Sequence, residues 1–236
     1  MRKLIFVLII CILQLTLSAD IIIKKPLTYF NGLKNIPGLK ISHSPGIYVS
    51  DVSLTVQIPG VKNFSITTAN EKGEVKRGNS FTLSEPSVLK ISYKDKAGEK
   101  RNFIGNYIVN ANHDLPIVSL AVDELDFFPP TGIYEGHLEV VGATINTIGR
   151  AWNKEPITGF AQFFFNGKLV DELQLDIKTY GGMTLGWREK SLQLSARKEK
   201  HGKGKIKVKL FENIPFREFQ HVVLRTSGND QNKTRI

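Results

Sequence analysis

Between residues 39 and 110 apolar and polar residues alternate with a period of two, in short runs broken by turn-forming residues. Val52, Leu54, Val56 and Ile58 alternate with Ser53, Thr55 and Gln57, and Leu89, Ile91 and Tyr93 alternate with Lys90, Ser92 and Lys94. Successive side chains of a strand point to opposite faces, so each run offers one apolar face to a core and one polar face to water. Phe64 to Thr68, Phe81 to Leu83 and Phe103 to Val109 continue the series. The breaks at Pro59-Gly60, Lys72-Gly73, Arg77-Gly78-Asn79 and Lys96-Ala97-Gly98 have the composition of tight turns. About six or seven strands at this spacing predict a small antiparallel β-sandwich over 39–112.

The polar stretch Asn110 to Asp114 ends this series, and Leu115-Pro116 opens a second, which places a domain junction near residue 112. From there "LPIVSLAV", "ITGFAQFFFNG", "LVDELQLDIKTY", "KSLQLSARK", "KIKVKLF" and "FQHVVLRTS" again read as strands. No long helical pattern occurs. Short helical turns are expected only at Val122 to Phe128 and Ile214 to Phe219, each next to a proline. The fold class predicted for the whole chain is mainly β.

The first residues, "MRKLIFVLIICILQLTLSAD", place Arg2 and Lys3 before an uncharged apolar run that ends in small residues. This is the layout of a secretory signal peptide over 1–19, with 20–38 as a linker. The run from Leu4 to Leu17 is shorter than the roughly 18 to 20 apolar residues that span a bilayer, and no later stretch is a candidate span. A secreted or cell-surface location is expected, with no transmembrane span in the mature chain. The only cysteine, Cys11, falls inside the apolar run. A mature chain would then have no disulfide and no thiolate for a metal. Lipid attachment at Cys11 is disfavoured by Ile10, where lipoprotein signals carry a small residue. Loss of Arg2 and Lys3 lowers the formal charge from +10 to +8, so the chain stays basic.

Two resemblances follow from these segments. "SHSPGIYVSDVSLTVQIPGVKNFSITTANEKGEV" resembles the chitobiase/β-hexosaminidase C-terminal-like domain: Pro45, Gly46 and Tyr48 match its Pro-Gly-aromatic opening, and Ile66, Thr67 and Thr68 its later segment. That resemblance implies an accessory β-sandwich without catalytic residues. Beyond residue 113, "LPIVSLAVDELDFFPPTGIYEG", "WNKEPITGFAQFFF", "DIKTYGGMTLGWREKSLQLSAR" and "FREFQHVVLRTSGND" occur in an order that resembles the front part of CotH-type atypical kinases. This second resemblance covers Leu115 to Ile236. It implies a β-rich, kinase-like amino-terminal lobe over 113–236.

The same resemblance implies a site. The loop holding Gly181, Gly182 and Gly186 would cover a nucleotide, and Lys190, which opens "KSLQL", would contact its phosphates, with ATP and magnesium as cofactors. An extracellular protein would be the substrate, and a cell-surface polymer is the other partner considered; nucleic acid is not expected. The family's acidic metal ligands lie beyond the "LRTSGND" segment, so the chain ending at Ile236 is expected to hold the nucleotide-facing lobe without the catalytic one. The alternative of a different class is a cell-surface module that binds carbohydrate or protein without nucleotide chemistry.

The residues add their own constraints. Lys190 shares parity with Leu192, Leu194 and Ala196, so it projects toward an apolar face and needs a partner. That partner is an acid, a phosphate, or solvent at the strand's first residue. Glycines let a backbone approach an anion closely and present its N–H groups, and an ammonium on the neighbouring strand is a point charge for phosphate oxygens. The stretch is not a Walker loop, because Trp187 and Arg188 follow Gly186.

"RKEKHGKGKIKVKLF" carries seven cations from Arg197 to Lys209, but Ile206, Val208 and Leu210 alternate with Lys205, Lys207 and Lys209, which predicts a hairpin with one buried and one solvated face. His43, His113, His137, His201 and His221 are scattered without ligand spacing, so no metal site is expected from them. Asp123, Glu124 and Asp126 read as a solvated turn or helix start. Trp152 and Trp187 fit core packing better than a sugar-stacking platform. Asn63-Phe64-Ser65 and Asn232-Lys233-Thr234 match the glycosylation pattern.

Overall fold

The computed structural model describes residues 39–58, 60–61, 64–70, 72–94, 98, 100–111, 115–128, 130–141, 143–153, 155–210 and 215–226. The expected signal peptide, the linker, Asn63, and the chain from residue 227, with Asn232, lie outside the described residues. The chain divides into two compact units. One runs to Ala121 and takes in Gln162–Val170; the other holds Val122–Ala161 and the residues from Asp171 onward.

The first unit contains β1 (Lys40–Ile41), β2 (Gly46–Ile47), β3 (Val52–Gln57), β4 (Phe64–Asn70), β5 (Val75–Arg77), β6 (Ser80–Leu83), β7 (Ser87–Lys94) and β8 (Lys100–Ile108). They form a three-stranded sheet in the order β1-β3-β6 and a five-stranded sheet in the order β2-β8-β7-β4-β5. All described pairings are antiparallel except the short parallel pair of β2 with β8. In β3 burial alternates strictly, as its sequence alternation requires. Leu54 from one sheet and Leu89 and Ile91 from the other are fully or almost fully buried in one cluster with Phe81, Phe103 and Tyr107. Each such side chain contributes about 1.5–3 kcal/mol of transfer free energy.

One end of this unit is tied by Asn110. Its Nδ2 donates 2.8 Å hydrogen bonds to Asp51 Oδ1 and to the Ser84 carbonyl, which joins the lead-in to β3 with the exit of β6. Asn110 has φ 55°, a left-handed conformation that asparagine tolerates better than most residues. Tyr107 is buried and donates to the His43 carbonyl at 2.7 Å. Tyr48 stacks on it at 6.2 Å and donates to the Ser44 carbonyl.

Beyond these lie β9 (Ile117–Ala121), α1 (Glu124–Phe127), β10 (His137–Val141), β11 (Thr144–Ile148), β12 (Ile157–Phe165), β13 (Lys168–Tyr180), β14 (Ser191–Ser195), α2 (Lys198–His201), β15 (Ile206–Lys207), β16 (Glu218–Phe219) and β17 (His221–Leu224). The main sheet has the order β17-β14-β13-β12-β9. β10 pairs with β11, and β15 with β16, as separate antiparallel ribbons. The fold is mainly β.

Asp123 caps α1 by accepting from the Leu125 backbone N–H at 2.8 Å, so the acids at 123–126 do open a helix. The other expected helical turn, Ile214 to Phe219, is corrected: Ile214 is outside the described residues, and Glu218–Phe219 is a strand. It pairs with Ile206 and Lys207, a contact about a dozen residues away in the chain that outweighs local propensity. Arg197 to His201, part of the cationic run, instead turns into α2 and ends at Gly202 in the left-handed region, φ 79°. After it, Ile206, Val208 and Leu210 are buried while Lys205 and Lys207 are exposed, the two-faced arrangement expected of this segment.

Candidate functional site

β13 and β14 are antiparallel and place Tyr180 opposite Ser191, so Gly181 to Lys190 is the connection closing this hairpin. Within it Met183–Gly186 forms one 3-10 turn, with Leu185 N–H donating to the Gly182 carbonyl at 3.0 Å and Trp187 N–H to the Thr184 carbonyl at 3.2 Å. Leu185 is fully buried and fastens the turn.

The three glycines differ in what they do. Gly181 has φ 136°, and a Cβ there would meet Thr184 Oγ1 at 2.6 Å. At Gly186 a Cβ would run into the Leu138 side chain of β10. Gly182 is open, with nothing within 4 Å of a Cβ position. Gly181 is therefore demanded within the loop and Gly186 by packing against β10, and only Gly182 leaves free space beside the backbone.

Lys190 immediately precedes β14 and is 4% exposed. Its parity holds: Leu192, Leu194 and Ala196 on the same side are fully buried. The partner differs from the three that the sequence left open. Lys190 Nζ donates to the Trp187 carbonyl at 2.6 Å and lies 5.1 Å from the centroid of the Tyr134 ring. The lysine's backbone N–H donates to the Tyr134 hydroxyl at 2.9 Å. Among the described residues it forms no ion pair. The side chain does not extend into solvent from the strand end but folds back onto the Trp187 carbonyl and the Tyr134 ring.

The energetics of this enclosure are unbalanced. One hydrogen bond to a charged group contributes about 1.5–3 kcal/mol, and a cation over an aromatic face about 0.5–2 kcal/mol. Removing an ammonium from water costs several kcal/mol even after relaxation. Burial accordingly holds the Lys190 amine below the usual lysine range, and the nearby Glu135 charge offsets only part of this. A second acceptor would be stabilising, and an anionic oxygen most of all.

The floor of the site comes from the segment Gly132 to Gly136. Tyr134 stacks on Phe127 at 5.3 Å, and its backbone N–H donates to the Phe127 carbonyl. Burial raises the Tyr134 phenol above its ordinary pKa. Glu135 Oε2 accepts from the Arg150 N–H at 2.9 Å, which fixes the carboxylate at the turn Arg150–Trp152. Gly136 has no side chain where the lysine passes: a Cβ would be 2.7 Å from Ala151 Cβ and 3.5 Å from Lys190 Cε. Trp152 and Trp187 are half-buried, and neither is an exposed platform.

A second polar centre lies on the opposite face of the same hairpin. Asp176 of β13 is 2% exposed, and its Oδ1 meets Lys200 Nζ at 2.6 Å and His201 Nε2 at 2.8 Å. Arg197 Nε is 3.0 Å from Oδ2 as an ion pair, although its N–H is not aimed at that oxygen. Burial would raise the Asp176 pKa, but the hydrogen bonds from Lys200 and His201 outweigh it and hold the carboxyl low. Across the sheet Ser195 faces both Asp176 and His221, and His221 Nδ1 is 2.9 Å from Ser195 Oγ.

The structure brings Lys190, Gly181 and Gly186 together around one turn. Sequence reasoning did not single out Tyr134, Glu135 and Gly136, although they sit in the quoted "TGIYEG" segment, nor Asp176, one of three acids in β13. Among the described residues no group of three or more His, Cys, Asp or Glu side chains could hold a metal ion. No helix among them is long and apolar enough to cross a membrane. Comparison with models of protein families, with curated proteins and with solved structures finds no match to the chain.

Proposed function

We propose that residues 113–236 are the nucleotide-facing lobe of a CotH-type atypical kinase, exported behind a cleaved signal peptide and preceded by an accessory sandwich of the chitobiase C-terminal-like kind. The single observation that carries this reading is Lys190: a 4% exposed ammonium beside a glycine turn, with only a backbone carbonyl and an aromatic ring as partners among the described residues. A phosphate oxygen is the ligand such a group lacks. In this reading Lys190 meets the phosphates of ATP and the open backbone at Gly182 approaches them. The residues described fit the phosphate but give magnesium no ligand set, so no phosphoryl-transfer step is derived for this chain. An extracellular protein is the substrate class that this reading implies.

The competing reading, a surface-exposed binding or structural module, is favoured by the same 2.6 Å bond: Lys190 can be a staple that closes its own loop onto Trp187. Calorimetric titration with ATP and magnesium separates the two. The wild type should bind, and Lys190→Ala should lose at least a tenfold share of that affinity, the scale of one charge-assisted contact, about 1.5–3 kcal/mol. Absence of binding by a folded wild type leaves the module reading.

A further inference from the structure

We propose that Tyr134 is a positioning residue for Lys190, its hydroxyl setting the lysine's backbone and its ring forming the floor under the ammonium. Its role in holding Lys190 toward a phosphate rests on the nucleotide reading above.

The inference starts from the edge of the ladder. The β13–β14 register ends with Tyr180 opposite Ser191, so the Lys190 N–H has no strand partner. Tyr134, fifty-six positions earlier, supplies the missing acceptor at 2.9 Å. The same side chain reaches the other end of the lysine, with its centroid 5.1 Å from Nζ. One residue therefore constrains both the start and the tip of a four-carbon stem, whose rotamer freedom would otherwise be large.

Tyr134 is itself held. It stacks on Phe127 with an interplanar angle of 22°, and Phe128 lies 6.5 Å away at a tilt. Phe127 belongs to α1 and is 1% exposed. Gly136, two residues further, leaves the gap through which the lysine stem passes. The arrangement is a fixed aromatic support, a passage without a side chain, and a cation resting on both. Among the described residues the Tyr134 hydroxyl has no hydrogen-bond partner other than Lys190, so phenylalanine would serve as well if only packing mattered.

The test compares the wild type with Tyr134→Phe and Tyr134→Leu in the full chain. Amide hydrogen exchange of Lys190 is measured, and the pH profile of Lys190 acylation by acetic anhydride is followed by peptide mass mapping. The titratable groups facing the amine are Tyr134 and Glu135, with His137 beside Glu135 and Glu189 acting on Tyr134. Tyr134→Phe should accelerate exchange at Lys190 by about fivefold to tenfold, the size set by one hydrogen bond, with Leu192 and Leu194 unchanged. Tyr134→Leu should in addition speed Lys190 acylation and move its profile toward that of Lys207, which is 70% exposed.

Unchanged Lys190 exchange in a folded Tyr134→Phe overturns the proposal, as does an unprotected Lys190 amide in the wild type or an unchanged acylation profile in a folded Tyr134→Leu. If Tyr134→Leu does not fold, the phenylalanine variant decides alone. ATP titration of the same proteins is the separate arm. Loss of Lys190 protection without any ATP binding by the wild type keeps the positioning role and removes the nucleotide reading.

Discussion

Asp176 and His201 meet at 2.8 Å, Oδ1 to Nε2, with both side chains 3% exposed and twenty-five positions of chain between them. This contact, with Lys200 on the same oxygen, is what fastens the four residues of α2, since a helix that short has no independent stability. Asp176→Asn removes the charge and leaves Lys200 and Arg197 without their carboxylate partner. The expected loss is about 2–3 kcal/mol, below the ~3–5 kcal/mol of a fully buried pair, because Lys200 and Arg197 are near half exposed. Urea midpoints at neutral pH measure it.

The same carboxylate predicts a pH dependence. Its folded pKa is depressed, so its stabilisation is complete above the unfolded value of about 3.9 and is lost as pH falls through the folded value. Urea midpoints taken from pH 6 downward should fall more steeply for the wild type than for Asp176→Asn. Parallel slopes would deny Asp176 this role.

Gly186→Ala should destabilise by about 1–3 kcal/mol, the usual cost of overpacking, because the added methyl enters the space of Leu138. Gly182→Ala meets nothing within 4 Å and should cost less. Thermal unfolding of the two variants checks the order, and a reversed order would show that the 3-10 turn is placed differently.

Thr179 is 1% exposed, and its hydroxyl donates to the Ala151 carbonyl at 2.7 Å. Thr179→Val keeps the shape and strands that carbonyl, at a cost of about 1–3 kcal/mol. Thr179→Ser keeps the bond and loses one methyl, about 0.8 kcal/mol. Denaturant midpoints should therefore rank serine above valine.

For Asn110, alanine loses two hydrogen bonds and also occupies φ 55° badly, whereas glycine loses only the bonds. Asn110→Ala should be the less stable by about 1 kcal/mol, the left-handed penalty of a residue with a Cβ. Equal melting temperatures would mean that the backbone has relaxed.

The sequence made some of this visible and concealed the rest for physical reasons. Val52 to Ile58 and Ser87 to Lys94 announce their strands because one face of each is dry, and dryness writes itself as alternation. Lys190 announces its face by the same parity. Its partner is invisible beforehand, since every residue carries a carbonyl and nothing marks that of Trp187. Tyr134 is hidden by distance along the chain, and α2 by its dependence on Asp176. The pairing of Glu218–Phe219 with Ile206–Lys207 replaces an expected helical turn because a non-local ladder decides it.

The cationic run beyond β14 has a further consequence for how the molecule looks from far away. Arg197 and Lys200 lie against Asp176, Lys203 against Asp171, and Lys205 and Lys207 against Glu218. Five positive charges on three carboxylates make short dipoles with a small remainder. A dipole's field fades faster with distance than a bare charge's, and at physiological salt a further decay sets in over about 8 Å. The formal +10 of the chain therefore overstates the pull that a passing polyanion feels along this segment. Long-range steering, if a partner needs it, must draw on charges elsewhere in the chain.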